Sequence, residues 1–417
     1  MENTMKKKIY LDYASTSPTR PEVLKAMLAY FSEKFGNASS IHGFGREAKA
    51  AIDKSRKIVA DYLNCVPSEI IFTSGGTESD NLAIRGLIEE IYHTYKNFKP
   101  HIITSAFEHH AVFNTCKDLE KRGLAEVTYV KPDNKGIIHV ESIKRAIKKN
   151  TILISIMYVN NEIGTIQPIS EISKLISQNN ELRIKNKAKK HNSSFVIHNS
   201  KIYFHSDAVQ AIEYQNCNVK KLGVDMLTLS AHKFGGPKGV GALYVKKGVK
   251  LTCQNSGGEQ ENYLRSGTYN TSAIIGMAKA IQLLQVQSSK FKVQNLLKLR
   301  NCMIDKILKE IPDTFLNGDK IKRNPNNVNI SFKYIEGEAI LIHLDQAGIA
   351  ASSGSACTSG SLDPSHVLLA IGLKHKDAHG SIRFTLGRET TKKEIDYTIE
   401  VLKKTASKLR SMSPYGQ

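Results

Sequence analysis

Apolar positions recur along this chain in two alternating rhythms. Strand-like runs fall at residues 9–12, 70–73, 101–104, 126–130 and 151–157, and the run at 70–73 has the character of a buried strand. Between them, the stretches from Pro21 onward and at 47–63, 109–122 and 141–149 space their apolar residues for one helical face. Proline suits the first helical turn, so Pro21 marks a helix start. Strand then helix, repeated, is the rhythm of a mostly parallel sheet covered by helices. Runs at 202–204, 225–229 and 239–245 continue it, followed by a long helical pattern over 272–310 broken near Ser288. The rhythm then changes to strand 327–332, helix 337–346, strand 381–386 and a closing helix over 392–410. The pattern predicts an α/β protein with a large sheet domain and a second, smaller α/β domain.

The pattern breaks between Asn179 and Lys201. The stretch 183–190 carries five basic residues and almost nothing able to enter a core, so 179–201 reads as a solvated basic insertion or a contact for a partner. Composition narrows the class further. At 417 residues and 41% hydrophobic content, without an apolar run of the ~20 residues needed to cross a bilayer, the chain reads as an enzyme-sized protein away from the membrane. The formal net charge of +20 permits acidic partners, but no basic stripe interleaved with aromatics points to nucleic acid, and direct nucleic-acid binding is not expected. The six cysteines, at 65, 116, 217, 253, 302 and 357, never stand at CxxC spacing, which argues against a zinc or cluster site and for a reducing compartment. Lys6-Lys7-Lys8 runs at once into strand-like Ile9, leaving no room for a signal segment. The expectation is a cytoplasmic protein.

Candidate chemistry sits where strands end, the usual place for ligands in such sheets. His109, Asn161 and Asp207 each follow a strand-like run. The turn Ser74-Gly75-Gly76-Thr77 joins a strand to a helix start, where unpaired N–H groups and the helix dipole favour an anion; the alternative is a helix capped by Thr77 without a ligand. Lys233 follows the apolar run 225–229 and precedes a glycine-rich stretch. That setting suits a lysine whose neutral amine attacks a carbonyl, and equally a surface lysine in a loop. The loop 351–362 is almost all small and polar with one thiol, Cys357, whose setting predicts mobility and a candidate nucleophile. Arg383 offers a fork for a carboxylate.

Taken together, residues 10–18, the turn 73–81, Glu108-His109, residues 159–164, the Lys233 segment, 265–268 and the Cys357 loop closely resemble the cysteine desulfurases of the NifS/IscS type. These are pyridoxal-phosphate enzymes of the class V aminotransferase fold. The resemblance implies an aspartate aminotransferase-like fold with a large cofactor-binding domain over 16–288 and a small domain from 1–15 with 289–417. It implies that Lys233 bonds the pyridoxal 5'-phosphate, that His109 stacks on the ring and assists proton transfer, and that Asp207 pairs with the ring nitrogen. Asn161 and Gln210 would contact the ring's phenolic oxygen. Gly76, Thr77, Ser230 and His232 would hold the phosphate, with Thr268 supplied by the neighbouring subunit of a homodimer. Arg383, with Asn161, would bind the carboxylate of L-cysteine, and Cys357 would accept its sulfur as a persulfide.

The implied products are L-alanine and sulfur for iron–sulfur cluster assembly or tRNA thiolation, through a scaffold protein or thiolation acceptor. A selenocysteine lyase or another class V enzyme is the alternative activity, and a mitochondrion-related organelle the alternative compartment. Ala231 stands where the family commonly has glycine, the basic insertion is unusual, and the sequence stops at Gln417 where many relatives continue into a scaffold-docking tail.

Overall fold

The computed structural model describes residues 8–95, 98–188, 201–285, 288–353 and 364–412. A short strand, β1 (Ile9–Tyr10), precedes the central sheet. That sheet comprises β2 (Ile70–Thr73), β3 (His101–Ser105), β4 (Glu126–Val130), β5 (Thr151–Ser155), β6 (Tyr203–Asp207), β7 (Met226–Ser230) and β8 (Gly241–Val245). Its order is β2-β8-β7-β6-β5-β3-β4. Only β8 runs against its neighbours; the remaining pairs are parallel.

Both sheet faces are covered, which is why β2 reads as a continuous apolar run. Successive side chains point to opposite faces. Ile70 and Phe72 therefore join one core with Ile103, Ile154 and Leu227, while Ile71 joins Ile102, Leu153, Met226 and Leu243 in the other. Parallel strands need crossovers, and the intervening helices supply them.

A third core lies around β9 (Thr314–Leu316), β10 (Asn327–Phe332), β11 (Ile349–Ala350), β12 (Ser352–Ser353) and β13 (Ser381–Thr385). Four of these strands form an antiparallel sheet in the order β12-β13-β10-β9, and β11 pairs in parallel with β1. Ile9 and Leu11 pack in this core with Met303, Phe332, Phe384 and Leu402. The N-terminal segment thus leaves the small core and runs directly toward the large sheet.

The helix Ile169–Ala188 extends past Asn179, where the apolar pattern stops. Arg183 explains part of this: it donates to the backbone oxygens of Thr151 at 2.9 Å and Lys148 at 2.7 Å, tying the helix to the start of β5. Residues 189–200 lie outside the described residues. Among those described, no helix is long and apolar enough to cross a membrane.

Candidate active site

At the carboxyl ends of β5, β6 and β7 lies a cavity of about 390 Å³, within the range of small-molecule sites. Gly76, Thr77, His109, Asn161, Asp207, Gln210, Ser230, His232, Lys233 and Arg383 all line it. Thr268 does not; it follows Gly267, which lines a separate small pocket beside Ser74 and Arg265. Cys357 lies outside the described residues.

The Lys233 segment is held by the N-terminal turn. Lys233 Nζ donates to the backbone oxygens of Ala14 at 2.6 Å and Ser15 at 2.9 Å. Ser17 completes the clasp, its N–H and hydroxyl both donating to the His232 oxygen and its Oγ accepting from Gly235 N, each at 2.8 Å. Gln210 Nε2 reaches the same Ala14 oxygen at 2.9 Å. The lysine is therefore a wall residue of the cavity, which sets aside the surface alternative.

Asp207 ends β6 and is buried, with Val209 N donating to its Oδ1 at 2.8 Å. Burial pushes its carboxyl up to about 6, against the pull of the Val209 N–H and of Lys233. His109 caps the helix His110–Lys121, its Nδ1 accepting from Ala111 N at 3.2 Å, so the neutral ring carries its proton at Nε2. Burial, with Lys233 nearby, lowers this histidine to about 4, so the neutral form prevails at physiological pH.

The helix Gly76–Thr94 begins without a side-chain cap among the described residues: Gly75 is the N-cap, and Thr77 lies within the first turn. Its leading N–H groups are thus free to meet an anion. A Cβ on Gly76 would stand 2.9 Å from Val209 Cγ2, so glycine is what lets the helix end approach the wall. His232 bonds Thr16 Oγ1 at 3.1 Å through Nδ1 and, lowered to about 4 by burial with Lys233 and Lys238 nearby, is neutral.

Arg383, on β13, crosses from the small sheet. Its Nη2 meets Asp12 Oδ1 at 3.0 Å and Ser15 Oγ at 2.8 Å, and its Nη1 donates to the Asn161 oxygen at 3.0 Å. The fork is already braced by neighbours, which fixes its direction in the wall. Sequence reasoning did not single out Asp80, Met157, Val209, Ala14 or Ser15 as wall residues. Asp80 had a signal: a carboxylate on the face of its helix shared with buried Ala83, Ile84 and Leu87.

The profile of the family described as Aminotransferase class-V matches residues 9–184 and 191–398. A cysteine desulfurase IscS from Dictyoglomus turgidum is 50% identical over 413 residues, 99% of this chain and 98% of that protein. This chain belongs to the class-V aminotransferases, among the cysteine desulfurases of the IscS type. A cysteine desulfurase IscS from Methanosarcina thermophila is 48% identical over 412 residues, 99% of this chain and 95% of the relative. Among solved structures, a NifS-like protein superposes with a TM-score of 0.85 at 33% identity, covering 96% of this chain and 100% of the other. A structure described as SspA in complex with cysteine gives 0.76 at 34% identity, covering 92% and 100%.

Class-V aminotransferases of this desulfurase type depend on pyridoxal phosphate, and the cavity residues fit that group. The uncapped helix start, Ser230 and His232 suit its phosphate. Buried Asp207 suits a protonated ring nitrogen. Asn161 Oδ1, buried and without a hydrogen-bond partner among the described residues, leaves an acceptor aimed at whatever fills the wall.

Proposed function

We propose that this chain removes sulfur from L-cysteine, releasing L-alanine and holding the sulfur as a persulfide on Cys357. The observation that carries this reading is the convergence on one cavity of Lys233, Asp207, His109 and Arg383 from separate elements, in a chain with desulfurase relatives along nearly its whole length. Lys233 is the residue to bond pyridoxal phosphate, Gly76, Thr77, Ser230 and His232 to hold its phosphate, and Asp207 to pair with its ring nitrogen. Gln210 and Asn161 would contact the ring's phenolic oxygen. Bound, the cofactor supplies an electron sink for the charge that develops at the substrate's α-carbon.

The chain's own residues do the rest. Arg383, braced by Asp12 and Ser15, receives the substrate carboxylate with Asn161 beside it, and fixes the α-carbon near Lys233. The Lys233 amine takes the α-proton, while neutral His109 packs over the site and donates through Nε2. The Cys357 thiolate attacks the substrate sulfur, the bond from that sulfur to the β-carbon breaks, and protons delivered to the β-carbon and then to the α-carbon give L-alanine. One thiol and one L-cysteine thus become one persulfide and one L-alanine, with no outside oxidant.

The remaining parts of the proposal are a homodimer, in which Thr268 serves the neighbouring subunit's phosphate, and transfer of the sulfur to an iron–sulfur scaffold or tRNA-thiolation acceptor in the cytoplasm. Leu28, Phe31, Phe35, Ile41 and Phe44 are exposed apolar side chains within one stretch, which supports a covering second copy. The packing of Ile9 and Leu11 in one core with Met303, Phe332 and Leu402 supports a division into 16–288 and 1–15 with 289–417, although Val367, Leu368, Ile371 and Ala378 pack in a core of the large sheet.

The test is L-alanine formation from L-cysteine with a reductant present, in the parent and in Cys357→Ser. Turnover in the parent that is lost in the variant supports the persulfide route. Equal alanine from both removes Cys357 from the mechanism, and none from either, with cofactor bound, removes the desulfurase reading.

A further inference from the structure

Behind the cavity lies a buried polar cluster that the mechanism above does not use. Asp80, on the helix Gly76–Thr94, is 1% exposed and lines the cavity with Asp207. Its Oδ1 has no hydrogen-bond partner among the described residues. A basic atom, His205 Nε2, stands 3.5 Å from it.

That histidine gives the Asp80 Oδ1 no hydrogen bond among the described residues. His205 is wholly buried on β6, and its two ring nitrogens are taken by hydroxyls, Ser155 Oγ at 2.9 Å and Thr228 Oγ1 at 3.1 Å. Burial drops it to about 3, so it is neutral. Thr228 also bonds the Asp80 carboxyl. The other titratable groups acting on this cluster are two more acids, Asp207 and Glu108, with the Cys116 thiol, also buried, on the next helix. Lys233 acts on Asp207 from across the cavity. A buried carboxylate needs a cation or several donors, and Asp80 has one hydroxyl bonded to it among the described residues.

We propose that Asp80 is a positioning residue held as the neutral acid behind Asp207, so that Asp207 carries the negative charge of that wall alone. The inference rests on the proposed pairing of Asp207 with the cofactor's ring nitrogen. A second carboxylate beside Asp207 would draw a proton onto the pair and leave that partner undefined. Asp80 as an acid fills the space and bonds Thr228 without competing for the charge. Burial and the nearness of Asp207 both push its carboxyl well above the ordinary carboxylate range, in keeping with this geometry.

The sign of the test follows from proton linkage. An acid that stays protonated in the folded chain but ionises in the unfolded one makes stability fall as pH rises above the ordinary carboxylate range. Replacing it with a neutral side chain removes one proton from that dependence. The experiment uses the holoenzyme, following the thermal midpoint and the cofactor's visible absorption from about pH 6 to pH 8.5, in the parent, Asp80→Asn and Asp80→Ala.

The expected result is a flatter fall of the midpoint with pH in Asp80→Asn, and a visible-band titration that stays within about half a pH unit of the parent's. Asp80→Ala shows the same flattening, so the test survives if the amide variant does not fold. An unchanged slope in both variants, or a visible-band titration moved by more than about one pH unit in Asp80→Asn, shows that Asp80 carries charge and overturns the inference. A parent without the visible band after loading with pyridoxal phosphate overturns the cofactor reading beneath it, a failure distinct from an unchanged slope.

Discussion

Lys233 Nζ donates to the backbone oxygen of Ala14 at 2.6 Å, joining two residues 219 positions apart. The turn that follows β1 thereby becomes part of the cavity wall, although β1 itself packs in the small core. A shift of the small sheet would be felt at Lys233 through this turn, and at Arg383, whose Nη2 bonds Ser15 in the same turn.

Replacing Lys233 with alanine removes both the proposed bond to the cofactor and the amine proposed to move the α-proton. Alanine formation is expected to fall by about 10²–10⁴-fold. Steady-state assay of L-alanine with cofactor in excess checks this, and a loss of less than about tenfold would remove Lys233 from the proton-transfer role.

Asp207 sets a pH dependence. With its carboxyl pushed up to about 6 in the cofactor-free cavity, it becomes protonated as pH falls through that value and can no longer pair with a ring cation. Affinity for pyridoxal phosphate in the parent is expected to weaken below about pH 6 by an extra factor approaching tenfold per pH unit, and Asp207→Asn is expected to lack that extra factor. In the cofactor-free protein the same raised value means that the group's contribution to stability is full below the ordinary carboxylate range and is lost as pH rises to about 6. Titration of cofactor binding at several pH values reads the first effect, and thermal unfolding of the apoprotein reads the second.

Gly76→Ala places a Cβ 2.9 Å from Val209 Cγ2. The crowding costs about 1–3 kcal/mol, felt at the helix end proposed to hold the phosphate. The dissociation constant for pyridoxal phosphate is expected to rise by about tenfold or more, with the fold intact by circular dichroism.

Arg56 and Glu261 form a buried two-point ion pair, at 2.7 and 2.6 Å, and Glu261 also accepts from Phe72 N at 3.0 Å. Removing the cation in Arg56→Met leaves Glu261 buried without its charge partner, a loss of about 3–5 kcal/mol. Denaturant unfolding should show the midpoint drop. A loss under about 1 kcal/mol would mean that water reaches Glu261 in the variant.

Hybrid dimers decide where Thr268 acts. If it serves the neighbouring subunit, a dimer of one Lys233→Ala chain and one Thr268→Ala chain keeps one complete site, built from Lys233 of the second and Thr268 of the first. Activity of the purified hybrid is then expected at about half that of the parent dimer. If Thr268 acts within its own chain, the hybrid retains no complete site and its activity falls to the level of the Thr268→Ala homodimer or below.

Much of the sheet was legible because strand and helix periods are local. The runs at 70–73 and 126–130 became β2 and β4 with those bounds, and β2, buried at every position, shows why a strand covered on both faces reads as an apolar run. The helix beyond Asn179 was not legible, because Arg183 holds it through backbone oxygens of Lys148 and Thr151 that no periodicity reveals. Likewise the helix start at Gly76 read as an anion site with a Thr77-capped end as its alternative, and the placement of Thr77 inside the first turn decided against the cap.

By itself the sequence determined the alternation of strands and helices, the polar groups waiting at strand ends and the family to which they belong. These depend on side-chain spacing and on short motifs, which are properties of neighbouring residues. Tertiary structure alone decided that Ala14 and Ser15 receive Lys233, that Asp12 braces Arg383 from 371 positions away, and that Asp80 loses its water beside a neutral histidine. The physical reason is that burial and pairing are set by which distant segments pack together, and a carboxylate's environment cannot be known until the strands beneath it are in place.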